Sequence, residues 1–191
     1  AQAVNNFGPG RLTEFDTGNV IYSGAELYAW GINTSGNVGD NTVINRSSPV
    51  QIGALTTWYQ VASRVALKTD GTLWAWGVNS SGQIGDDTTV NKSSPVQIGA
   101  LTTWYQVASA GNHVAAVKSD NTLWVWGLNN DGQLGLNVVV NRSSPVQVGV
   151  LTNWAQVSAQ GANTAAVKTD GTLWAWGSNG SGGLGDGTTR A

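Results

Sequence analysis

His113 is the single histidine of the chain, preceded by Asn112 and followed by the apolar stretch VAAVKS. An imidazole could serve as a general base or a metal ligand. With no cysteine and no second histidine in the sequence, however, a metal site of ordinary nitrogen and sulfur composition cannot form around it. Asp40, Asp86, Asp87 and Asp186 follow glycine-rich loops and invite a calcium reading. Leu136 and Asn137 stand at the equivalent place of the third loop, and no Asp-x-Asp-x-Asp-Gly run exists, so metal binding is not expected. The loops themselves, residues 36–40, 82–87, 132–136 and 182–187, space their glycines much as phosphate-binding loops do. They follow strand-like segments, open no helix and lack the phosphate-binding lysine, so tight turns are the better account. Serine, histidine and aspartate recur with no triad logic, and no carboxylate pair stands out as acid and base. The expectation is a protein that is not an enzyme and holds no cofactor. Any specific site has to come from residues that do not repeat: Arg64, the Ala110–His113 loop with Asn112 and His113, the Gln160–Asn163 loop with its two end residues, and the first twenty residues.

Composition narrows the function further. Nine Lys and Arg against eleven Asp and Glu give a formal net charge of −2, and 10% of the residues are charged, which argues against an electrostatic nucleic-acid footprint. Absence of cysteine excludes thiol redox chemistry and suits a reducing or an oxidising compartment equally. No apolar run approaches the roughly 20 residues of a membrane-spanning helix, and the first twenty residues show no basic start followed by an apolar stretch, so a soluble chain is expected. A start at Ala1 suggests processing or a segment of a longer polypeptide.

The elements that must position these residues follow from an internal repeat. YAWG at Tyr28–Gly31, WAWG at Trp74–Gly77, WVWG at Trp124–Gly127 and WAWG at Trp174–Gly177 are spaced by 46, 50 and 50 residues. The shorter first period lacks a counterpart of AGNH (Ala110–His113), which QGAN (Gln160–Asn163) matches in the third. NRSSPVQIGALTTWYQVAS and NKSSPVQIGALTTWYQVAS differ only at Arg46 and Lys92. Within one period, four short alternating segments read as half-buried strands: Trp104–Ser109, His113–Ser119, Thr122–Gly127 and Pro145–Val148. Asp70-Gly71, Asp120-Asn121 and Asp170-Gly171 predict type I′ hairpin turns between the second and third. Pro49, Pro95 and Pro145 are expected to open the fourth, at a sheet edge. A four-stranded sheet of this size cannot bury both faces alone, but radially stacked sheets can, which predicts an all-β propeller. The ten Trp are then core between blades, with Trp74 and Trp76 on one face of their strand.

LWAWG, then NSSGQIGDD (Asn79–Asp87), then SSPVQI, then WYQVASAGNHVAAVKSD together resemble the repeat of the regulator of chromosome condensation family over residues 18–190. The resemblance implies a propeller, commonly of seven blades, and a histidine at position 113 that braces the inner hairpin. Gly-Asn-His occurs once here, with Asn163 or Thr164 at the next equivalent place. Tectonin-type propellers, also Trp-rich, lack the Gly-Gln-x-Gly loop. The plant ultraviolet-B photoreceptor of this family senses light through Trp, but its Gly-Trp-Arg-His-Thr motif is absent.

About four four-stranded blades are predicted over residues 18–191, as an arc, a small ring or part of a larger one, with residues 1–17 as an N-terminal segment. Leu12–Asp16 is the proposed inner strand of the first blade. The fourth stops before its Ser-Ser-Pro-Val strand, and AQAVNN (Ala1–Asn6) is available to close that open edge here or in another copy. The reading is a structural or protein-interaction module, with a protein partner or homo-oligomer through open blade edges. The regular spacing leaves no room for a nucleotide-exchange wedge and no basic tail for chromatin. Sparse charge amid Asn, Ser and Thr is more similar to repeats of secreted bacterial and phage particle or tail proteins, which places the chain outside the cell, on its surface or in a virion. The alternative is a glycan-binding propeller using exposed Trp or Tyr59 and Tyr105 with Asn-rich loops.

Overall fold

The computed structural model describes residues 2–5, 15–16, 19–20 and 25–189. Sixteen strands and no helix are found among them. The first blade sheet has the order β1 (Gln2–Asn5), β4 (Leu27–Gly31), β5 (Arg46–Gln51). Two complete blades follow: β6 (Trp58–Ala62), β7 (Val65–Lys68), β8 (Leu73–Gly77), β9 (Lys92–Gln97), then β10 (Trp104–Ser109), β11 (His113–Lys118), β12 (Leu123–Gly127), β13 (Arg142–Gln147). The fourth ends at three strands: β14 (Trp154–Gln160), β15 (Asn163–Lys168), β16 (Leu173–Gly177). Every pairing is antiparallel. The all-β blade architecture expected from the period is the one observed.

Three local details differ from the sequence reading. The hairpin turns are not type I′, because only their last residue has positive φ, at Gly71 (76°), Asn121 (60°) and Gly171 (84°). Gly71 N–H bonds the Lys68 carbonyl at 3.0 Å, giving a type I turn closed by one left-handed residue, a place that Asn tolerates as well as Gly. Asp70 holds the turn from within, accepting from Thr72 N–H and its hydroxyl, while that hydroxyl accepts from the Trp74 indole. The fourth strands begin three residues before their prolines. Pro49 falls where the register shifts between Ala29 and Gly31, so a bulge on the outermost strand accommodates the missing N–H.

The third difference concerns the N-terminus. Phe15–Asp16 (β2) pairs with Asn19–Val20 (β3) in a hairpin outside the blade sheets, not as an inner strand; Leu12–Glu14 lie outside the described residues. Gln2–Asn5, the stretch offered above as a closing strand, lies against β4 and not along β16. Its register explains why. Gln2, Ala3, Val4 and Asn5 face Trp30, Ala29, Tyr28 and Leu27 as Val114, Ala115, Ala116 and Val117 face Trp126, Val125, Trp124 and Leu123. A short alternating segment thus occupies the second-strand place of the first blade.

The core sits between blades. Leu73 and Ala75 of one face join Trp104, Val107 and Trp126 of the next blade, while Leu123, Val125 and Leu134 join Trp154, Val157 and Trp176. Each first-strand Trp packs against both Trp of its third strand, as Trp104 does edge-on with Trp124 (6.3 Å) and tilted with Trp126 (6.0 Å). Such pairs add about 0.5–1.5 kcal/mol beyond their area. Lys118 lies 3.5 Å above the Trp124 ring and Lys68 3.6 Å above Trp74, so each cation shields an indole face from water.

Candidate functional site

The unrepeated residues gather at one end of the blades because they occupy the turn between first and second strands. In blade two this turn is Ser63-Arg64, made tight by positive φ at Ser63 (55°). Four additional residues in blade three make room for a loop in which Gly111 N–H bonds Ser109 Oγ at 3.1 Å and Ala110 N–H bonds the His113 carbonyl at 3.3 Å. The Arg64 guanidinium reaches across the blade boundary and donates to the Gly111 carbonyl. Burial lowers its affinity for the proton.

His113 makes the equivalent crossing one blade further on. It is fully buried, and its Nε2 lies 2.9 Å from Thr164 Oγ1. Thr164 already donates its hydroxyl proton to the Gln133 carbonyl at 2.7 Å, so it accepts from His113 and the imidazole is the neutral Nε2–H form. Burial pushes the His113 pKa down to about 4. Its bracing therefore joins two blades, where the resemblance implied bracing within one hairpin. Asn112 is exposed beside it, and its carbonyl accepts from Leu128 N–H at 2.8 Å. Gln160 is exposed in the fourth blade. Asn163, at the place of His113, has a buried side-chain oxygen without a partner. Arg64, Asn112 and His113 thus lie at the same end of the blades as the Gln160–Asn163 turn: Arg64 and His113 bond the neighbouring blade, while Asn112 and Gln160 are exposed.

Two further sets of residues went unread although the sequence repeats them. Asn33, Asn79, Asn129 and Asn179, the fourth letter of WGIN, WGVN, WGLN and WGSN, are fully buried. Asn79 Nδ2 donates to the Thr88 and Val90 carbonyls at 2.9 and 3.2 Å, and its Oδ1 accepts from Ile84 N–H at 2.9 Å, so one amide ties the whole loop. The acidic residues that invite calcium are consumed in the same loops. Asp40 accepts from Asn33, Thr42 and Arg46, and Asp86 pairs with Lys92 at 3.1 Å; such bonds hold both carboxyls below the usual range despite the opposing burial. Among the described residues no group of three His, Asp or Glu is placed to hold a metal ion.

The second set joins blade to blade. Gln60 Nε2 donates to the Val107 carbonyl at 3.1 Å and its Oε1 accepts from Val107 N–H at 3.0 Å; Gln106 repeats the second bond on Val157 at 2.9 Å. Indole N–H groups of Trp76, Trp126 and Trp176 donate to the carbonyls of Asn37, Gln83 and Gln133 at 3.2, 3.1 and 3.0 Å. These bonds keep neighbouring blades in register.

The chain matches the model of the regulator of chromosome condensation (RCC1) repeat at residues 70–117 and 120–167, and a second model of that repeat at residues 104–133. No curated protein matches it. Among solved structures it resembles human WBSCR16, with 24% identity and a TM-score of 0.75 over 89% of this chain and 47% of that one. Yeast RCC1 (Prp20), solved bound to Kap60, gives 23% identity and a TM-score of 0.67 over 80% and 38%. Prp20p of Saccharomyces cerevisiae, whose report covers binding to Gsp1p and histones, gives 20% and 0.64 over 81% and 41%. The chain spans less than half the length of each of these proteins, and at such identities they share its fold.

Proposed function

Since this chain belongs to the regulator of chromosome condensation repeat family, we propose that it is a protein-interaction module in which stacked blades hold the unrepeated turns as a rigid recognition surface. One observation carries the reading: Arg64, the Ala110–His113 loop and the Gln160–Asn163 turn are the places where the repeats differ, and Arg64 and His113 tie this end across blade boundaries. Rigid, unlike loops on a repeated scaffold are how a common fold selects different partners. The related yeast structures, one solved with Kap60 and one studied with Gsp1p and histones, show propellers of this kind meeting proteins. No catalytic role is proposed, because the ionisable side chains at this end serve blade contacts.

A place outside the cell, on its surface or in a virion or tail belongs to the same proposal. Its support is the sparse charge of the chain, 10% of residues, amid abundant Asn, Ser and Thr. Detection of the protein in secreted or particle fractions, and not in the cell lysate, is the expected result.

The loop reading is tested by affinity capture with the wild-type chain and with Asn112→Ala/Gln160→Ala, two exposed changes outside the blade contacts. The double variant should keep the circular dichroism spectrum and Tm and lose the captured protein. Retention of every captured protein overturns the loop surface. Tyr105, 60% exposed, is the most exposed aromatic residue among the described ones. A glycan array showing a sugar preference that Tyr105→Ala removes would replace the protein-binding reading with the lectin one.

A further inference from the structure

One cation among the loops takes part in no side-chain contact. In blades one and two the basic residue that opens the fourth strand pairs with an aspartate of its own loop, Arg46 with Asp40 and Lys92 with Asp86. Thr42 and Thr88 fix those aspartates, each donating its N–H and its hydroxyl to one carboxyl oxygen. Asp186 and Thr188 repeat the arrangement in blade four. Blade three departs from it: Leu136 stands in place of the aspartate and Val138 in place of the threonine, while the cation is kept as Arg142.

Arg142 is half-buried, and its Nε is sealed from water without a partner. Its guanidinium makes no hydrogen bond or ion pair among the described residues. Asp87, on the loop of the preceding blade, accepts from Ser143 Oγ at 3.4 Å and forms no ion pair with Arg142. Where the cation is paired, its carboxylate comes from its own loop, so the vacancy at Arg142 is set by Leu136 and Val138 and not by a neighbouring blade. Nor does the loop need a carboxylate to hold its shape. The Asn129 side chain donates to the Val138 and Val140 carbonyls and accepts from Leu134 N–H at 2.9 Å. The loop so held presents Val138, Val139 and Val140 to solvent, 46, 67 and 56% exposed. It stands at the end of the blades that carries the unrepeated turns, since its Gln133 carbonyl accepts from Thr164.

We propose that Arg142 and Val138–Val140 form the point of this surface that takes a carboxylate side chain of a partner protein, an Asp or Glu flanked by apolar residues. The partner's carboxylate fills the place that Asp40 and Asp86 fill within their own loops, and its apolar neighbours cover the three valines. Charge complementarity selects the occupant. A planar guanidinium that lacks an acceptor is matched by a carboxylate in bidentate geometry, and an Arg beside exposed apolar residues is the composition of the buried centre of a protein interface. The inference rests on the reading of this end as a protein-binding surface but uses residues other than the unrepeated turns.

The probe is an acetylated and amidated Val-Asp-Val peptide, titrated into the chain while the Arg142 Nε–H and the amides of residues 138–140 are followed by NMR. The expected result is a set of shifts that saturate with a dissociation constant in the millimolar range, as suits one ion pair with a small apolar contact. Val-Asn-Val should give no saturating shift. Leu136→Asp/Val138→Thr, which restores the internal carboxylate of blade two, should bind the peptide about tenfold more weakly or worse, and Arg142→Gln does the same should the double variant fail to fold. Val139→Ser should weaken the peptide and leave acetate unchanged. Absence of a saturating shift in wild type overturns the proposal. So does acetate binding as tightly as the peptide, which would make this a site for free anions, or binding undiminished in both Arg142→Gln and the double variant. Asn112→Ala/Gln160→Ala should bind the peptide like wild type, so failure at the turns and failure at Arg142 are told apart.

Discussion

Removing the titration of His113 should flatten the acid side of the stability profile. In the folded chain the imidazole is neutral, with its pKa pushed from 6.5 to about 4, chiefly by burial. The unfolded chain therefore binds the proton more readily, and stability is fully present above pH 6.5 and is lost as pH falls toward 4. The full span is about 3 kcal/mol, since each pH unit of displacement corresponds to about 1.4 kcal/mol. At pH 5, where the unfolded histidine is almost wholly charged and the folded one is still neutral, the loss relative to pH 8 is about 2 kcal/mol. This window is free of competition from other histidines, as the sequence has one. Aspartates whose pKa is lowered in the fold contribute below their ordinary 3.8, at the acid end of the range. The assay is urea unfolding of wild type and His113→Gln at pH 8, 7, 6 and 5. Gln is long enough to reach Thr164, so the variant tests charge with modest loss of packing. Wild type should lose about 2 kcal/mol more than the variant between pH 8 and pH 5. Equal losses would show that the buried imidazole is not the source and refute the argument.

Three other perturbations separate structural from vacant positions. Gly85→Ala places a methyl against Trp126 at positive φ and should cost about 2–4 kcal/mol in urea unfolding, whereas Gly185→Ala, with open space, should cost the backbone strain alone, about 1–2 kcal/mol. Asn79→Ala leaves the Ile84 N–H and the Thr88 and Val90 carbonyls without their partner and should cost about 2–4 kcal/mol, with loss of amide-exchange protection confined to residues 79–91. Gln60→Leu should cost about 2 kcal/mol or more by stranding both backbone groups of Val107, while Gln156→Leu should change stability by less than about 0.5 kcal/mol; equal effects would show that Gln60 does not hold the blades together.

The blades were legible because their signal is periodic at two scales. Alternation within LWAWG marks a strand, and its recurrence at 46, 50 and 50 residues marks a stack. What escaped the sequence was set by pairing between segments that do not resemble one another. QAVN takes the place of VAAV because both alternate and because β4 has an unpaired edge, and four residues carry too little pattern to choose between that edge and the edge of β16. The turn type escaped for a narrower reason. Asp-Gly supplies positive φ to either a two-residue or a three-residue loop, and the choice fell to Asp70, whose bonds to Thr72 complete the longer one.

The candidate surface was legible as difference, and its partners were not. Loss of the repeat at Arg64 and at residues 110–113 and 160–163 marked those residues, yet Arg64 and His113 proved to depend on the next blade, while Asn112 and Gln160 stand exposed. That dependence also explains why the buried asparagines were overlooked. Asn79 satisfies its own loop and needs no neighbour, so its recurrence reads as turn composition, while Gln60 and Trp76 acquire meaning only across a boundary. A repeat protein encodes its boundaries once per period. The same letters recur in the fourth blade, where Leu173, the equivalent of the buried Leu73 and Leu123, is exposed and nothing lies within 4 Å of a Cβ built at Gly185.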